Sequence, residues 1–259
     1  MFTKILYINL DRRPDRNEHM KSELKKINFS GKVERISAVD GRTLKYLDIK
    51  NLLSDNAINQ FFDTTDRKFA PGSYMSKGAA GCALSHYKCW LNILNGNDEK
   101  VLILEDDIRV DIDFNKKIKY YLTKIPDYDL LYIGFHKSRK SKKYNEILHT
   151  PGVVVGLFGL FGYIVNKNIA KRLIDIFPIE GQIDSKITKI FKDIKVYHLN
   201  EELRIIYSDH SFNNSLGTDI QLIEKFDNSS NNNNDNNNFI IYIIIFFLLY
   251  LLFSKIKFI

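Results

Sequence analysis

The 259-residue chain is 44% hydrophobic and 27% charged, apolar enough to bury a core, which excludes a wholly disordered protein. A formal net charge of +7 suits an anionic ligand or an anionic surface. Zinc-finger spacings and basic regions with heptads are missing from the sequence, so nucleic acid is set aside as a partner.

The first sixteen residues, "MFTKILYINLDRRPDR", do not read as a signal peptide, because the apolar run is short and leads into arginines. Lys4–Asn9 is predicted to be a buried strand, followed by a helix with Pro14 at its start. Lys32–Val39, "KVERISAV", alternates as a second strand and ends in Asp40–Gly41. This strand–helix–strand unit opens an α/β domain. Residues 43–75 are irregular. "KGAAGCALSHYKCWLNILNG" then has helical spacing, with Leu84, Trp90, Leu91 and Leu94 recurring near 3.6. Cys82 and Cys89 share one face of that helix about 10 Å apart, too far for a disulfide, and read as small buried hydrophobes.

Val101–Leu104 is predicted as the third strand and 113–124 as a polar helix ending before Pro126. Asp129–Phe135 is a further strand, and His136–Lys143, "HKSRKSKK", a basic loop. Gly152–Val165 supplies one or two strands, Asn168–Phe177 a helix, and "KVYHLN" a last clear strand. The sum is a mixed, mostly parallel central sheet flanked by helices, over residues 1–227. Asn228–Asn238 is a low-complexity polar linker. Phe239–Phe253 carries no charge, and with the residues to Ile259 it would span about 31 Å as a helix. That segment, 239–259, reads as a single-pass C-terminal membrane anchor, with the side of the main domain left open.

The chemistry gathers where Val101–Leu104 run into Glu105, Asp106 and Asp107. Ligands of open α/β sheets bind outside the carboxyl ends of the strands. Alternation along a strand lets Glu105 and Asp107 point the same way, and two such carboxylates repel unless a cation lies between them. Mg²⁺ or Mn²⁺ suits those oxygens and keeps positions open for substrate phosphates. Three adjacent acids also fit a solvated turn. Arg12, Arg13 and Arg16 follow the first strand at the same sheet edge, where arginine suits phosphate. Asp40 could accept from a ribose or uracil donor, and Gly41 permits close backbone approach.

Five segments carry a resemblance to a known family: "YINLDRRPDR", which includes Asn9; "ISAVDG"; "GAAGCALSHYKCW"; "VLILEDD"; and "GLFGYIVNKNIAKRLI". In order and rough spacing the chain resembles glycosyltransferase family 25, the group of lipooligosaccharide transferases and collagen galactosyltransferases. The resemblance implies a GT-A type fold, a UDP-sugar donor, Mn²⁺ dependence and inversion at the anomeric carbon. It implies Asp107 as a metal ligand, with Glu105 or Asp106 helping through ribose, sugar or metal-bound water. It brings Asn9, Ser85 and His86 to the donor side and Asp184 to the acceptor side as general base, with Glu180 the other acid in reach and His210 a weaker candidate ligand. The acceptor would be a glycan, a lipid-linked saccharide or a hydroxylysine-type side chain. A glycosyltransferase fold that has lost catalysis and serves as a binding module is the alternative.

Overall fold

In the computed structural model, which describes residues 1–63, 74–153 and 157–208, the chain begins with strand β1 (Lys4–Asn9), fully buried. Helix α1 (Pro14–Ile27) opens on Pro14, whose missing N–H costs nothing in a first turn, and buries Arg16, Met20, Glu23 and Ile27 along one stripe. Strand β2 (Lys32–Ser37) returns parallel to β1. Helices α2 (Tyr46–Ile49), α3 (Asp55–Phe62) and α4 (Lys77–Asn95) follow. Ser54 and Ser76 cap the last two by accepting the N–H groups of Ala57 and Ala79.

Next come β3 (Lys100–Glu105), β4 (Ile108–Val110), α5 (Phe114–Leu122) and β5 (Leu130–Gly134). The expected basic loop holds two short strands, β6 (Lys137–Ser138) and β7 (Lys142–Lys143). They find partners in β8 (Leu148–Thr150) and β9 (Leu157–Phe158). Strand β10 (Gly162–Asn166) leads through a 3₁₀ turn into α6 (Ala170–Ile174) and α7 (Ile183–Lys186). Strands β11 (Val196–Leu199) and β12 (Ile206–Ser208) complete the described elements.

Eight strands form one sheet in the order β2-β1-β3-β10-β5-β11-β8-β7. Strands β2, β1 and β3 run parallel, while β10 is antiparallel to both β3 and β5. The carboxyl ends of β1, β2, β3 and β5 therefore emerge at one edge. The chain leaves β1 on one side to make β2 and returns on the other to make β3. That change of direction opens a crevice between the ends of β1 and β3.

Both faces of the sheet's centre are covered, which is why β1, β3, β5 and β10 read as nearly continuous apolar runs. Side chains alternate between two cores. Val101 and Ile103 of β3, with Tyr163 of β10, face the core that includes Ala80, Ala83 and Trp90 of α4. Leu102 and Leu104 face the core that includes Met20 of α1 and Phe114 of α5. Each such buried side chain contributes about 1.5–3 kcal/mol. The alternation continues past the strand end, and it aims the carboxylates that follow.

Within the far half of the sheet, His198 of β11 is 1% exposed and lies opposite His149 of β8. The rings stack with centroids 5.5 Å apart. His198 donates from Nδ1 to the Leu199 carbonyl at 2.7 Å and accepts the Ser138 hydroxyl at Nε2 at 3.1 Å. Burial holds its pKa down to about 4. An unfolded imidazole takes its proton near pH 6.5, so this contribution to stability is whole above that pH and is lost as pH falls through the folded value. Between pH 7.5 and 4.5, urea unfolding is expected to shift in favour of His198→Phe relative to wild type by about 2 kcal/mol. A pH-independent difference would contradict this account.

The expected C-terminal membrane anchor is corrected. Among the described residues no helix is long and apolar enough to cross a membrane. Residues 228–259, and His210, lie outside the described residues.

Candidate functional site

The acidic run at the end of β3 splits by alternation. Glu105, in phase with Val101 and Ile103, turns toward α4 and meets His86, whose Nε2 is 3.2 Å from Glu105 Oε1. Asp106, in phase with Leu102 and Leu104, turns toward α1 and meets Arg16, with Nη1 3.0 Å from Oδ1. The Asn9 side chain, at the end of β1, donates to Asp106 Oδ2 at 2.7 Å, so Asp106 ties β1 to β3 across the crevice. Asn9 itself accepts from Arg35 at 2.9 Å and donates to the Arg13 carbonyl at 3.1 Å. Asp107 faces the crevice with Glu105, and Arg16 reaches it only at 3.4 Å.

The electrostatics follow from that crowding. Burial and then the Glu105 charge push the Asp107 carboxyl up to about 7, with Arg16 opposing. Asp106 is also raised by burial, against the pull of Arg16 and Asn9. Glu105 and Asp107 are hard oxygen donors that line one cleft, and the Glu105 charge opposes that of Asp107. They fit a divalent cation of the Mg²⁺ or Mn²⁺ kind.

A cleft opens over these groups. Arg12, Arg16, Asp40, Gly41, Ser85 and His86 line it together with Asn9 and all three acids. Arg12 and Arg42 both donate to Asp40, at 2.8 and 2.6 Å. Arg42 first, and Arg12 after it, hold the Asp40 carboxyl well below the usual range. The wall of the cleft is thus a fixed pair of guanidinium groups over one carboxylate. Arg13 does not line the cleft, and its guanidinium is turned to Asp15, with Nη2 to Oδ2 at 2.8 Å.

Gly41 and Gly81 let the β2–α2 connection lie directly on α4. A Cβ on Gly41 would sit 1.7 Å from the Lys77 carbonyl oxygen, and one on Gly81 would sit 2.5 Å from the Val39 oxygen. Ser85 fastens the same contact: its hydroxyl accepts the Val39 N–H at 2.9 Å and donates to the Gly81 carbonyl at 2.6 Å. Ser85 therefore holds the wall of the cleft through backbone.

Behind His86 stands a relay the sequence did not announce. A carboxylate only accepts, so Nε2 of His86 donates to Glu105, and Nδ1 accepts from the Tyr163 hydroxyl at 2.8 Å. The Tyr163 oxygen accepts the Trp90 indole N–H at 3.1 Å, and burial keeps this phenol protonated. Trp90 and Tyr163 have the spacing of ordinary core residues, and only the polar handle of each signals more.

Asp184, on α7, does not line this cleft; burial raises its carboxyl and the Glu105 charge adds to that. The N–H groups of Gly159 and Ser185 donate to it at 3.2 and 2.7 Å. Glu180 pairs instead with Lys186 at 3.4 Å and is exposed. Cys82, expected to be buried, lines the cleft half-buried, whereas Cys89 is buried; both are free thiols.

The family model described as "Glycosyltransferase family 25 (LPS biosynthesis protein)" matches residues 2–187. The human protein named "Inactive glycosyltransferase 25 family member 3" is 30% identical over 188 residues, 70% of this chain and 30% of that protein. "Procollagen galactosyltransferase 1-A" of Xenopus laevis is 26% identical over 215 residues, 81% of this chain and 32% of that protein. This chain thus spans about a third of the length of these curated relatives. Among solved structures, S. aureus TarS 1-349 aligns with a TM-score of 0.46 and 12% identity, over 80% of this chain and 60% of that one. On the match over residues 2–187, the chain belongs to glycosyltransferase family 25.

Proposed function

We propose that this chain is an inverting glycosyltransferase of GT-A type that moves a hexose, galactose or glucose, from a UDP-sugar to a hydroxyl of a glycan or glycoprotein acceptor. The catalytic domain would occupy residues 1–227. One observation carries the reading: Glu105 and Asp107 face an open cleft at the β1–β3 crevice, with burial and then the Glu105 charge pushing the Asp107 carboxyl up to about 7. Glu105 and Asp107 would hold Mn²⁺ or Mg²⁺, which supplies charge neutralisation to a diphosphate leaving group.

The protein's own groups do the rest. Asn9 and Arg16 each bond one oxygen of Asp106, which leaves Glu105 and Asp107 as the cleft acids best placed for a cation. Arg12 and Arg42, fixed over Asp40, present positive charge where a nucleotide's phosphates would enter. His86, set by Tyr163, orients Glu105. Asp184 acts as general base, taking the proton of the acceptor hydroxyl as its oxygen bonds to the anomeric carbon. The bond from that carbon to the diphosphate oxygen breaks at the opposite face, and its electron pair leaves with UDP. A single displacement of this kind inverts the centre.

Asp184→Asn is expected to lower kcat about 10²–10⁴-fold, with UDP binding unchanged. Its measurement is single-turnover transfer beside calorimetric UDP binding. Equal loss of both would assign Asp184 a structural role instead. The relative named inactive, at 30% identity, favours a second reading: a family 25 fold that binds a nucleotide-sugar without transferring it. A screen of common UDP-sugars with saturating Mn²⁺ separates the two, since UDP binding with no hydrolysis and no transfer supports the second.

A further inference from the structure

We propose that Cys82, His86 and Glu105 form a second metal site in the cleft, one that takes a thiophilic divalent cation such as Zn²⁺. Cys82 and His86 are four residues apart on α4, one turn along the same face. Glu105 faces them from the end of β3. The sulfur, ring nitrogen and carboxylate oxygen all lie within 4.8 Å of one another. His86 Nε2 is already 3.2 Å from Glu105 Oε1, a spacing that two ligands of one ion can share. The other ring nitrogen is held by the Tyr163 hydroxyl at 2.8 Å, the kind of outer contact that fixes a ligating imidazole. Cys82 lines the open cleft, which gives an ion a path in.

The donor set decides which ion. One thiolate, one imidazole and one carboxylate, with the cleft side open, match the N, S and O ligands of zinc. Mn²⁺ and Mg²⁺ favour oxygen donors and belong with Glu105 and Asp107 instead. On binding, the Cys82 thiol releases its proton to solvent as the metal–sulfur bond forms. His86 binds through Nε2 in its other tautomer, so the Nδ1 hydrogen is donated to the Tyr163 oxygen and the phenol O–H turns away from the ring. No electron is transferred, and one proton leaves per ion bound. Glu105 serves both sites, so the two cations exclude each other and Zn²⁺ inhibits. That consequence rests on the glycosyltransferase reading; the site itself does not.

Co²⁺ is the probe. Added to the wild-type protein, it is expected to give a thiolate-to-cobalt charge-transfer band that is lost in Cys82→Ser and Cys82→Ala and kept in Cys89→Ala. A wild-type protein without the band, or a band that survives both Cys82 substitutions, overturns the site. A second measurement uses no variant: Zn²⁺ is expected to protect Cys82 from iodoacetamide, read by mass spectrometry at that residue. Equal alkylation with and without Zn²⁺ also overturns it. Neither readout involves sugar transfer, so a failed transferase reading leaves them standing. The competition is tested by Zn²⁺ inhibition of Mn²⁺-dependent UDP-sugar hydrolysis, which Cys82→Ser should relieve, and undiminished inhibition in that variant overturns it.

Discussion

Asp107→Asn is expected to make the metal-free protein more stable while it removes transfer activity. The folded carboxyl titrates near 7 because burial and Glu105 oppose its charge, whereas an unfolded aspartate titrates near 3.9. Below the unfolded value both states are protonated and the group contributes nothing unfavourable. As pH rises the unfolded chain ionises first, so stability is lost up to the folded value and the full penalty stands above it. The side chain keeps 18% exposure, and solvent there reduces the penalty to on the order of 2–3 kcal/mol. Asn removes it. Urea unfolding at pH 8 in chelator should therefore favour Asp107→Asn by that amount, and the gap should close toward pH 4. The same variant should lower Mn²⁺-dependent kcat/KM by about 10²–10³-fold, since charge on the leaving diphosphate loses its counter-ion. A variant that is both less stable at pH 8 and fully active would contradict both halves.

Gly41→Ala is expected to cost about 3 kcal/mol or more of stability. The added carbon would fall 1.7 Å from the Lys77 carbonyl oxygen, a backbone atom in the first turn of α4 that cannot swing aside. The loop must lift, and it takes Asp40 and the bond from Val39 N–H to Ser85 with it. Activity should fall beyond what the unfolded fraction explains, because Arg12 and Arg42 are held by Asp40. Gly81→Ala attacks the same contact from the α4 side, so the double variant should cost less than the sum. Urea midpoints of the three variants check this, and a Gly41→Ala protein as stable as wild type would contradict the packing described.

Much of this was legible in the sequence because it rests on local periodicity. The run "VLIL" reads as a strand buried on both faces, and alternation alone separates Asp106 from Glu105 and Asp107. Pro14 marks a helix start that the structure keeps. What sequence could not supply is which distant segments become neighbours. Nothing in "GYIVN" says that β10 is inserted antiparallel between β3 and β5, and so nothing says that Tyr163 reaches His86. Gly41 reads as a place of close backbone approach, but the sequence does not say that the approaching backbone is that of α4. Arg13 shares its run with Arg12 and Arg16, yet Asp15 two residues on holds its guanidinium at 2.8 Å, away from the cleft. The segment 136–143 reads as a charged loop because two-residue strands are too short to show a period.

The central claim is that the carboxyl ends of β1 and β3 form a metal-dependent nucleotide-diphosphate site. Calorimetric titration of UDP into wild-type protein and Asp107→Asn, each with Mn²⁺ and with chelator, tests it most directly. UDP should bind wild type in Mn²⁺, and binding should weaken by about tenfold or more in chelator and equally in Asp107→Asn. UDP affinity indifferent to both Mn²⁺ and Asp107→Asn would contradict the account.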